Sequence, residues 1–328
     1  MKTRLRLLAC GGTISAEASD NGFALPKRSG EDLLAQLPKT EVSEITVENF
    51  SKVLSSQFTV DQVHQLALRI RNIMSEDPLL TGIVVTHGTG AMEENAFMAD
   101  LLYADERPVV FTGAMRSASD PFWDGAMNLV NAIRVASSPL SKNRGVLVAM
   151  NGTIHAASDV TKTHTTAVDT FDSGEFGPLG YVYPDGIYYA RDQLHRMRFP
   201  ELTAIEPKVD LIKFVVGMDD RFIRTSVESG AKGIVIEGSG LGNLNDSLIQ
   251  GVRYALLQSV KVVVCSRSPK GRVYPAYGTN TGAEALRKMG CILASMPGPK
   301  VRMLLMVLLG LTQERDELQQ IIDPFISI

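Results

Sequence analysis

The chain has 328 residues, of which 45% are hydrophobic and 21% are charged, a composition typical of a soluble globular protein with more than one core. The formal net charge is only -3 with both signs dispersed, which argues against nucleic acid as a partner. The longest apolar run, residues 303–309, is far shorter than the roughly 20 residues that a membrane span needs. We therefore expect neither a nucleic-acid nor a membrane partner.

The start of the chain mixes basic residues with leucines, but its apolar stretch is too short for a signal peptide and runs directly into Gly11 and Gly12. The three cysteines, Cys10, Cys265 and Cys291, are widely spaced, which favours reduced thiols over a disulfide framework. Both features predict a cytoplasmic protein. Cys10 is an alternative nucleophile beside the glycine pair, although a thiol at the end of a buried strand is more often inert.

Strand and helix signals alternate through the first half of the chain. Short valine-rich runs suit strands that are buried on both faces, and apolar residues three to four positions apart suit amphipathic helices. The predicted strands are residues 4–9, 82–86, 108–112 and 145–150, and the predicted helices are residues 60–74, with Thr59 as N-cap, 92–102 and 125–136. This alternation predicts an α/β fold with a doubly wound parallel sheet.

The second half repeats the alternation after an irregular stretch. Residues 176–191, rich in Gly, Pro and Tyr, predict a β-hairpin, and the polar residues 194–208 predict a linker. Strands are predicted at residues 209–216, 233–237 and 261–266, and helices at residues 222–229, 247–258, 282–288 and 300–311. We therefore predict an N-terminal doubly wound domain over residues 1–193 and a smaller C-terminal α/β domain over residues 209–328.

Two predicted strands end in closely similar turns, Cys10-Gly11-Gly12-Thr13-Ile14 and Thr86-His87-Gly88-Thr89-Gly90. Because ligands gather at the carboxyl ends of parallel strands, near the switch in strand order, each turn delivers a threonine hydroxyl to one crevice. Neither turn is a dinucleotide fingerprint or a Walker loop, so we predict no nucleotide cofactor.

A hydroxyl is a poor nucleophile until a base removes its proton. Lys162 follows the strand at residues 145–150, and a desolvated lysine could serve as the base for Thr89. Spacing alone favours the other interpretation, a cation on a surface loop.

The remaining candidates have structural interpretations. His87 beside Thr89 is expected to be a hydrogen-bonded structural histidine, with an acid role as the alternative. His155 and His164 flank Lys162 without a third ligand at suitable spacing, so no metal is predicted. Phe122 and Trp123 are predicted to begin a helix and to pack in the core or an interface, with a pocket wall as the alternative.

Several segments, in this order, resemble the bacterial-type L-asparaginase family. They are Cys10 to Ile14, Thr86 to Thr89, Met92-Glu93-Glu94, Thr112-Gly113-Ala114-Met115-Arg116, Asn143-Arg144-Gly145-Val146-Leu147-Val148, Asp159-Val160-Thr161-Lys162-Thr163 and Gly177-Pro178-Leu179-Gly180. The resemblance extends over nearly the whole chain. It implies an amide hydrolase for a small-molecule substrate, without metal or cofactor, in a homotetramer or homodimer.

The resemblance also implies roles for individual residues. Thr13 would be the nucleophile that forms an acyl-enzyme, and Thr89 with Lys162 would be a second threonine–lysine unit. The substrate-binding residues would be Ser56, Gln57, Gly88, Gly90, Ala114 and Phe23. Of these, Ser56 and Gln57 stand where the family binds the substrate's α-carboxylate and α-amine, and the Ala114 region would hold its amide.

Three positions depart from the family pattern. Gly90 stands where the family has an aspartate that pairs with the substrate's α-ammonium, and Phe23 stands in the approximate place of a tyrosine of a mobile loop. Leu241 replaces an asparagine that a neighbouring subunit lends to the site. Glu93 or Asp120 are alternatives for restoring the lost charge, although the helix dipole already explains an acid at position 93. The departures predict a less polar and less anionic site.

Three functions follow. The first is an asparaginase-family amidohydrolase with weak turnover of asparagine. The second is a hydrolase of a lactone, lactam or amide that lacks the α-amino group. The third is a catalytically silent binding protein, which the retention of Thr13, Thr89 and Lys162 disfavours.

Overall fold

A computed structural model describes residues 3–19, 23–38, 42–193 and 196–322. The contacts of the chain divide it into two compact units, Met1–Glu201 and Leu202–Ile328. Each unit is built around a parallel-rich sheet with helices, so the predicted α/β fold is confirmed. The domain bounds 1–193 and 209–328, with a linker between them, stay a prediction.

The first unit holds twelve strands and four α-helices in the part of the chain that the structure describes. The strands are β1 (Arg4–Gly11), β2 (Ala16–Ala18), β3 (Ala24–Pro26), β4 (Glu44–Val53), β5 (Gly82–Thr86), β6 (Val109–Thr112), β7 (Val146–Met150), β8 (Thr153–Ala156), β9 (Thr161–Lys162), β10 (Phe171–Asp172), β11 (Gly180–Tyr183) and β12 (Gly186–Tyr189). The helices are α1 (Gly30–Ala35), α2 (Val60–Glu76), α3 (Met92–Leu101) and α4 (Gly125–Ser137).

The main sheet has the order β12-β11-β8-β7-β6-β5-β1-β4. The five strands from β7 to β4 are parallel, which confirms the prediction for the four of them that were expected, β1, β5, β6 and β7. Strands β8, β11 and β12 extend the sheet antiparallel. The predicted hairpin is the β11–β12 pair. From β1 the chain moves outward to β4 and then returns to the other side of β1 at β5. The strand order therefore switches between β1 and β5, where a ligand crevice is expected.

Burial explains why the parallel strands form. Every residue of β5, β6 and β7 is buried, as expected for strands covered by helices on both faces. The long helix α2 begins at the predicted cap, since the Thr59 hydroxyl accepts from Gln62 N. Its inner face buries Leu66 and Ile70, each worth about 1.5–3 kcal/mol.

Strand β4 is absent from the sequence prediction. It pairs in parallel with β1 at the edge of the sheet, with Leu7 opposite Val47. Its ten residues, Glu44–Val53, are intermediate or exposed, because an edge strand covers only part of its surface. Its sequence therefore lacks the uninterrupted apolar run that marks the central strands.

The second unit contains a four-stranded parallel sheet in the order β13-β14-β15-β16. Its elements are β13 (Val209–Lys213), α5 (Arg221–Glu228), β14 (Gly233–Gly238), α6 (Asp246–Leu257), β15 (Lys261–Ser266), α7 (Ala283–Met289), β16 (Ile292–Leu293), α8 (Gly298–Leu311) and α9 (Arg315–Ile322). The first strand ends at Lys213 rather than at the predicted Val216, because Val215 and Val216 are exposed and Gly217 turns the chain at φ +79°. Within the described ranges, no helix has the length and apolarity to cross a membrane.

Candidate active site

The turns after β1, β4 and β5 lie in backbone contact at the carboxyl edge of the main sheet. A Cβ placed on Gly12 would lie 2.3 Å from the Cα of Gly88, and one placed on Gly88 would lie 2.8 Å from Ser55 Oγ. Only glycine permits such close approaches, and Gly12 also has a φ of +82°. The two threonine turns that the sequence predicts to share a crevice are therefore adjacent.

Thr89 and Lys162 are brought together by this arrangement. Lys162 Nζ donates a hydrogen bond to Thr89 Oγ1 over 2.8 Å, and Thr89 is only 5% exposed. Burial lowers the pKa of Lys162, and the charge of Glu93 opposes part of that shift. Spacing alone favours a surface cation here, whereas the structure places a half-buried amine against a hydroxyl.

The backbone of Lys162 makes a second long-range hydrogen bond, which the sequence analysis did not predict. Lys162 lies in β9, which pairs with β10 opposite Phe171. Its backbone N–H donates to Glu93 Oε2 over 2.8 Å, although 69 residues separate the two in sequence. An acid in the first turn of α3 is already explained by the helix dipole, so the sequence gives no reason to expect this contact of Glu93.

Thr13 lies in a 3-10 turn, Thr13–Ser15, that follows β1 directly. The turn is held by Ser15, whose N–H and hydroxyl both donate to the Gly12 carbonyl. Thr13 is half-buried, and its hydroxyl has no hydrogen-bond partner among the described residues. Its side chain therefore stays available to a ligand.

Cys10 is fully buried, and burial raises the pKa of its thiol far above the ordinary value. A thiol that stays protonated is neither a nucleophile nor a metal ligand. The geometry favours the inert interpretation of Cys10.

A further loop, after β6, also lies close to Thr89. A Cβ on Gly113 would lie 3.3 Å from Thr89 Cγ2, and the next residue, Ala114, is fully buried. The loop is fixed by Asp124, whose carboxylate accepts from the N–H groups of Met115 and Arg116 and from the side-chain amide of Asn128. Ala114 is thus positioned by the partly buried hydrogen bonds of Asp124 rather than by its own side chain.

Ser56 and Gln57 lie in the 3-10 turn Ser55–Gln57 and are both exposed. Gln57 Oε1 accepts from Leu54 N over 3.1 Å, so its carbonyl oxygen is already used by the turn. The buried Ser55, which the sequence analysis did not single out, accepts from Ala91 N through its hydroxyl over 3.2 Å.

Gly90 is exposed and has open space around it. Apart from its two chain neighbours, the only heavy atom of the described residues within 4 Å of a Cβ built there is Ser55 Oγ, at 3.2 Å. The backbone of Gly90 is not left-handed. Phe23 is 73% exposed and precedes β3 of the β2–β3 hairpin. A phenylalanine ring carries no hydroxyl, so Phe23 cannot exchange a proton with Thr13.

His87 is fully buried, with Nδ1 2.8 Å from the carbonyl oxygen of Gly88. Burial lowers the pKa of His87 to about 4, so the ring is neutral near pH 7 and its Nδ1–H donates. Its ring also packs 4.9 Å from that of Phe58. This is the geometry of a structural histidine.

The other two candidate histidines, His155 and His164, are engaged elsewhere. His155 Nδ1 lies 2.8 Å from Ser173 Oγ, and His164 Nδ1 accepts from Ala167 N. Across the residues that the structure describes, no group of three His, Cys, Asp or Glu side chains is arranged to hold a metal.

The prediction that Phe122 and Trp123 begin a helix is wrong. The helix begins at Gly125, and Asp120 holds the preceding turn by accepting from Phe122 N over 2.8 Å. Phe122 is 74% exposed rather than part of the core, while Trp123 lies under the guanidinium of Arg28, 5.4 Å from its ring centre.

Two family models match the chain. "Asparaginase, N-terminal" matches residues 4–195, and "Glutaminase/Asparaginase C-terminal domain" matches residues 208–322. The chain belongs to the asparaginase family. It is therefore an asparaginase-family amidohydrolase, a hydrolase that acts on amide C–N bonds.

Individual relatives match nearly end to end. The L-asparaginase of Bacillus licheniformis is 33% identical over 316 residues, covering 96% of this chain and 98% of the relative. L-asparaginase 2 of Escherichia coli is 33% identical over 332 residues, covering 98% and 93%. The crystal structure of a probable cytoplasmic L-asparaginase from Campylobacter jejuni superposes with a TM-score of 0.88 at 31% identity, covering 98% of this chain and 99% of that one.

Leu241, the third asparaginase departure, lies in the second unit. It belongs to a turn that is closed where Ser239 bridges to Asn243, and Gly240 and Gly242 in it have positive φ. Leu241 itself is half-buried. The turn thus has a defined backbone that presents a leucine.

Proposed function

We propose that this asparaginase-family chain hydrolyses a small amide through an acyl-enzyme, with Thr13, Thr89 and Lys162 as its catalytic residues. The observation that carries the proposal is the 2.8 Å hydrogen bond from Lys162 Nζ to Thr89 Oγ1. It lies where the strand order switches, and a half-buried amine that has lost its proton is a base for the hydroxyl beside it.

The proposed reaction has two steps. Thr13 Oγ1 attacks the amide carbon and forms the new C–O bond, and the C–N bond breaks as the amide nitrogen takes up the proton that the Thr13 hydroxyl gave up and leaves as ammonia. Water then attacks the ester, which releases the acid and restores the Thr13 hydroxyl. A neutral Lys162 takes the proton from Thr89, and the Thr89 hydroxyl relays protons to and from the reacting atoms.

The proposed substrate site combines the three turns and the β6 loop. Backbone N–H groups of Thr89 and of the Ala114 region hold the amide oxygen as negative charge develops on it, which is the largest stabilisation such sites provide. Gly88 lets the backbone approach the substrate, and Ser56 with Gln57 contacts its far end. Phe23 lines the entrance.

L-asparagine is the nominal substrate, and its turnover is expected to be weak. Gly90 leaves open space where a carboxylate would meet the α-ammonium, and losing one charge-assisted hydrogen bond costs about 1.5–3 kcal/mol. The same observation supports a second candidate, an amide, lactam or lactone that lacks the α-amino group.

A matched pair of substrates separates these candidates. Succinamic acid is asparagine without its α-amino group, and γ-butyrolactone stands in the same relation to homoserine lactone. Ammonia or acid release is measured for each pair. We expect each desamino compound to be hydrolysed at least as fast as its partner. A strong preference for asparagine would contradict the second candidate. No turnover, with a ligand that raises the melting temperature, would support a binding protein instead.

Assembly and location are also proposals. We infer a homotetramer or homodimer, in which the Leu241 turn faces a neighbouring site, and a cytoplasmic location. The Campylobacter jejuni relative is described as cytoplasmic, whereas a relative from Haemophilus influenzae is described as periplasmic. Sedimentation velocity tests the assembly, and a monomer with full activity would contradict it.

A further inference from the structure

The Thr89–Lys162 unit depends on a partner outside the three turns. Glu93 Oε2 accepts the backbone N–H of Lys162 over 2.8 Å, and the side chain of the same lysine donates to Thr89 over 2.8 Å. Lys162 belongs to a two-residue strand, β9, that pairs only with the equally short β10 among the described strands. Such a short ladder gives little support of its own, so the tie to α3 fixes where the lysine backbone lies.

The same carboxylate supplies negative charge to the unit. The ionisable side chains on the elements that flank Lys162 are Glu93, Glu94 and Asp100 on α3, Asp172 on β10 and His164 in the following loop. Of these, Glu93 is the one whose charge opposes the lowering of the Lys162 pKa by burial. Residue 90, directly after Thr89, is a glycine and contributes none.

We propose that Glu93 is the positioning residue of the Thr89–Lys162 unit: it anchors the lysine backbone and provides the counter-charge that residue 90 lacks. The inference rests on the proposed function, because it gives a role to a residue that acts through Lys162. It also explains how the unit is kept together without an aspartate beside Thr89. A carboxylate in the first turn of α3 is further stabilised by the helix N-terminus.

Two substitutions separate the two jobs of Glu93. Glu93→Gln keeps an oxygen that accepts from Lys162 N but removes the charge, whereas Glu93→Ala removes both. Glu94→Gln and Asp172→Asn are the matched controls, since each removes one acid from the same surroundings. Circular dichroism checks that each variant folds. If the alanine variant does not fold, the near-isosteric glutamine variant still tests the counter-charge.

The first readout needs no substrate. Trace acetic anhydride acylates only neutral amines, so the pH dependence of Lys162 acetylation, followed by peptide mass spectrometry, gives its midpoint in the folded protein. Losing the counter-charge is expected to lower the midpoint in Glu93→Gln by about 1 pH unit. Both controls should leave it in place. An equal midpoint in Glu93→Gln and Glu94→Gln would overturn the proposed counter-charge.

The second readout is the pH–rate profile with whichever substrate of the matched pairs turns over. Glu93→Gln should shift the acidic limb to lower pH and keep the plateau. Glu93→Ala should show the same shift and also lower the plateau about 10-fold, because the lysine is misplaced. Equal plateaus in the two variants would overturn the anchoring role. If the acetylation midpoint shifts in Glu93→Gln but the native protein hydrolyses none of the substrates, the result would support this inference and contradict the proposed function.

Discussion

Gly12 and Gly88 touch through their backbones, so closely that a Cβ on Gly12 would lie 2.3 Å from Gly88 Cα. The first glycine precedes Thr13 and the second precedes Thr89. Each threonine therefore occupies its place because its neighbour has no side chain. The spacing of the two hydroxyls depends on this contact more than on either threonine.

Gly12→Ala is expected to separate the turns. The added methyl group meets backbone that cannot move aside, at a φ of +82°, so the free energy of unfolding should fall by about 3 kcal/mol. Activity should fall at least as far as in a Thr13→Ala variant. Gly186→Ala is the control, because a Cβ there has nothing within 4 Å and should change stability by less than about 0.5 kcal/mol. Denaturant unfolding measures both, and equal stability of the two variants would contradict the contact.

Lys162→Arg should be as inactive as Lys162→Met, with kcat lowered about 100- to 10,000-fold. Arginine keeps the positive charge and can donate to Thr89, but it does not lose a proton at any assay pH. Steady-state kinetics measures both variants. If the arginine variant kept most of its activity, Lys162 would act through its charge alone.

The rate should rise with pH until Lys162 is neutral. Since burial lowers the pKa of this lysine, the acidic limb should end below the pH at which an ordinary lysine loses its proton. The pH–rate profile of the native chain tests this. A rate that falls as the pH rises through neutrality would show that the protonated amine is the active form.

Gly90→Asp should raise kcat/KM for asparagine about 10- to 100-fold and leave succinamic acid unimproved. The site has room for the substitution, since among the described residues it is the Ser55 hydroxyl, 3.2 Å from the new Cβ, that has to shift. Gly90→Asn has nearly the same size without the charge. An equal gain in both variants would assign the effect to packing instead of to the α-ammonium, and no gain in either would show that position 90 does not limit specificity.

Asp124→Asn should loosen the loop that carries Ala114. The carboxylate of Asp124 accepts from several N–H groups, and the new side-chain amide would place its own N–H against these donors. The free energy of unfolding should fall by about 2 kcal/mol, and KM should rise more than kcat falls. Asp120→Asn removes a charge from the same loop at a residue that accepts from Phe122 N. Melting temperature and steady-state kinetics compare the two, and equal effects would contradict a special role for Asp124.

The central strands and long helices could be predicted from sequence because each has one dominant local signal. The apolar run of β5 and the cap and periodicity of α2 are complete within the segment itself. Strand β4 was not predicted, because its edge position lets polar residues alternate with apolar ones. The antiparallel strands β8 and β11 carry no signal that distinguishes their direction.

The site also has residues that could be predicted from sequence and contacts that could not. Thr13 and Thr89 follow strands with glycine turns, a pattern that sequence displays. The contacts of Lys162 with Thr89 and Glu93 join residues 73 and 69 positions apart, and no local pattern encodes such pairings. The contribution of Ser55 could not be predicted for a different reason. It lies in the contacts of its hydroxyl, which accepts from Ala91 N and borders the space beside Gly90.

The identity of the nucleophile is the central claim, because Lys162 bonds to Thr89 while the Thr13 hydroxyl has no partner among the described residues. The most direct measurement is acid quenching of the enzyme during turnover of asparagine and of succinamic acid, followed by peptide mass spectrometry. We predict an acyl ester on the peptide that contains Thr13, absent in Thr13→Ala. An ester on Thr89, or turnover that persists in Thr13→Ala, would contradict this mechanism.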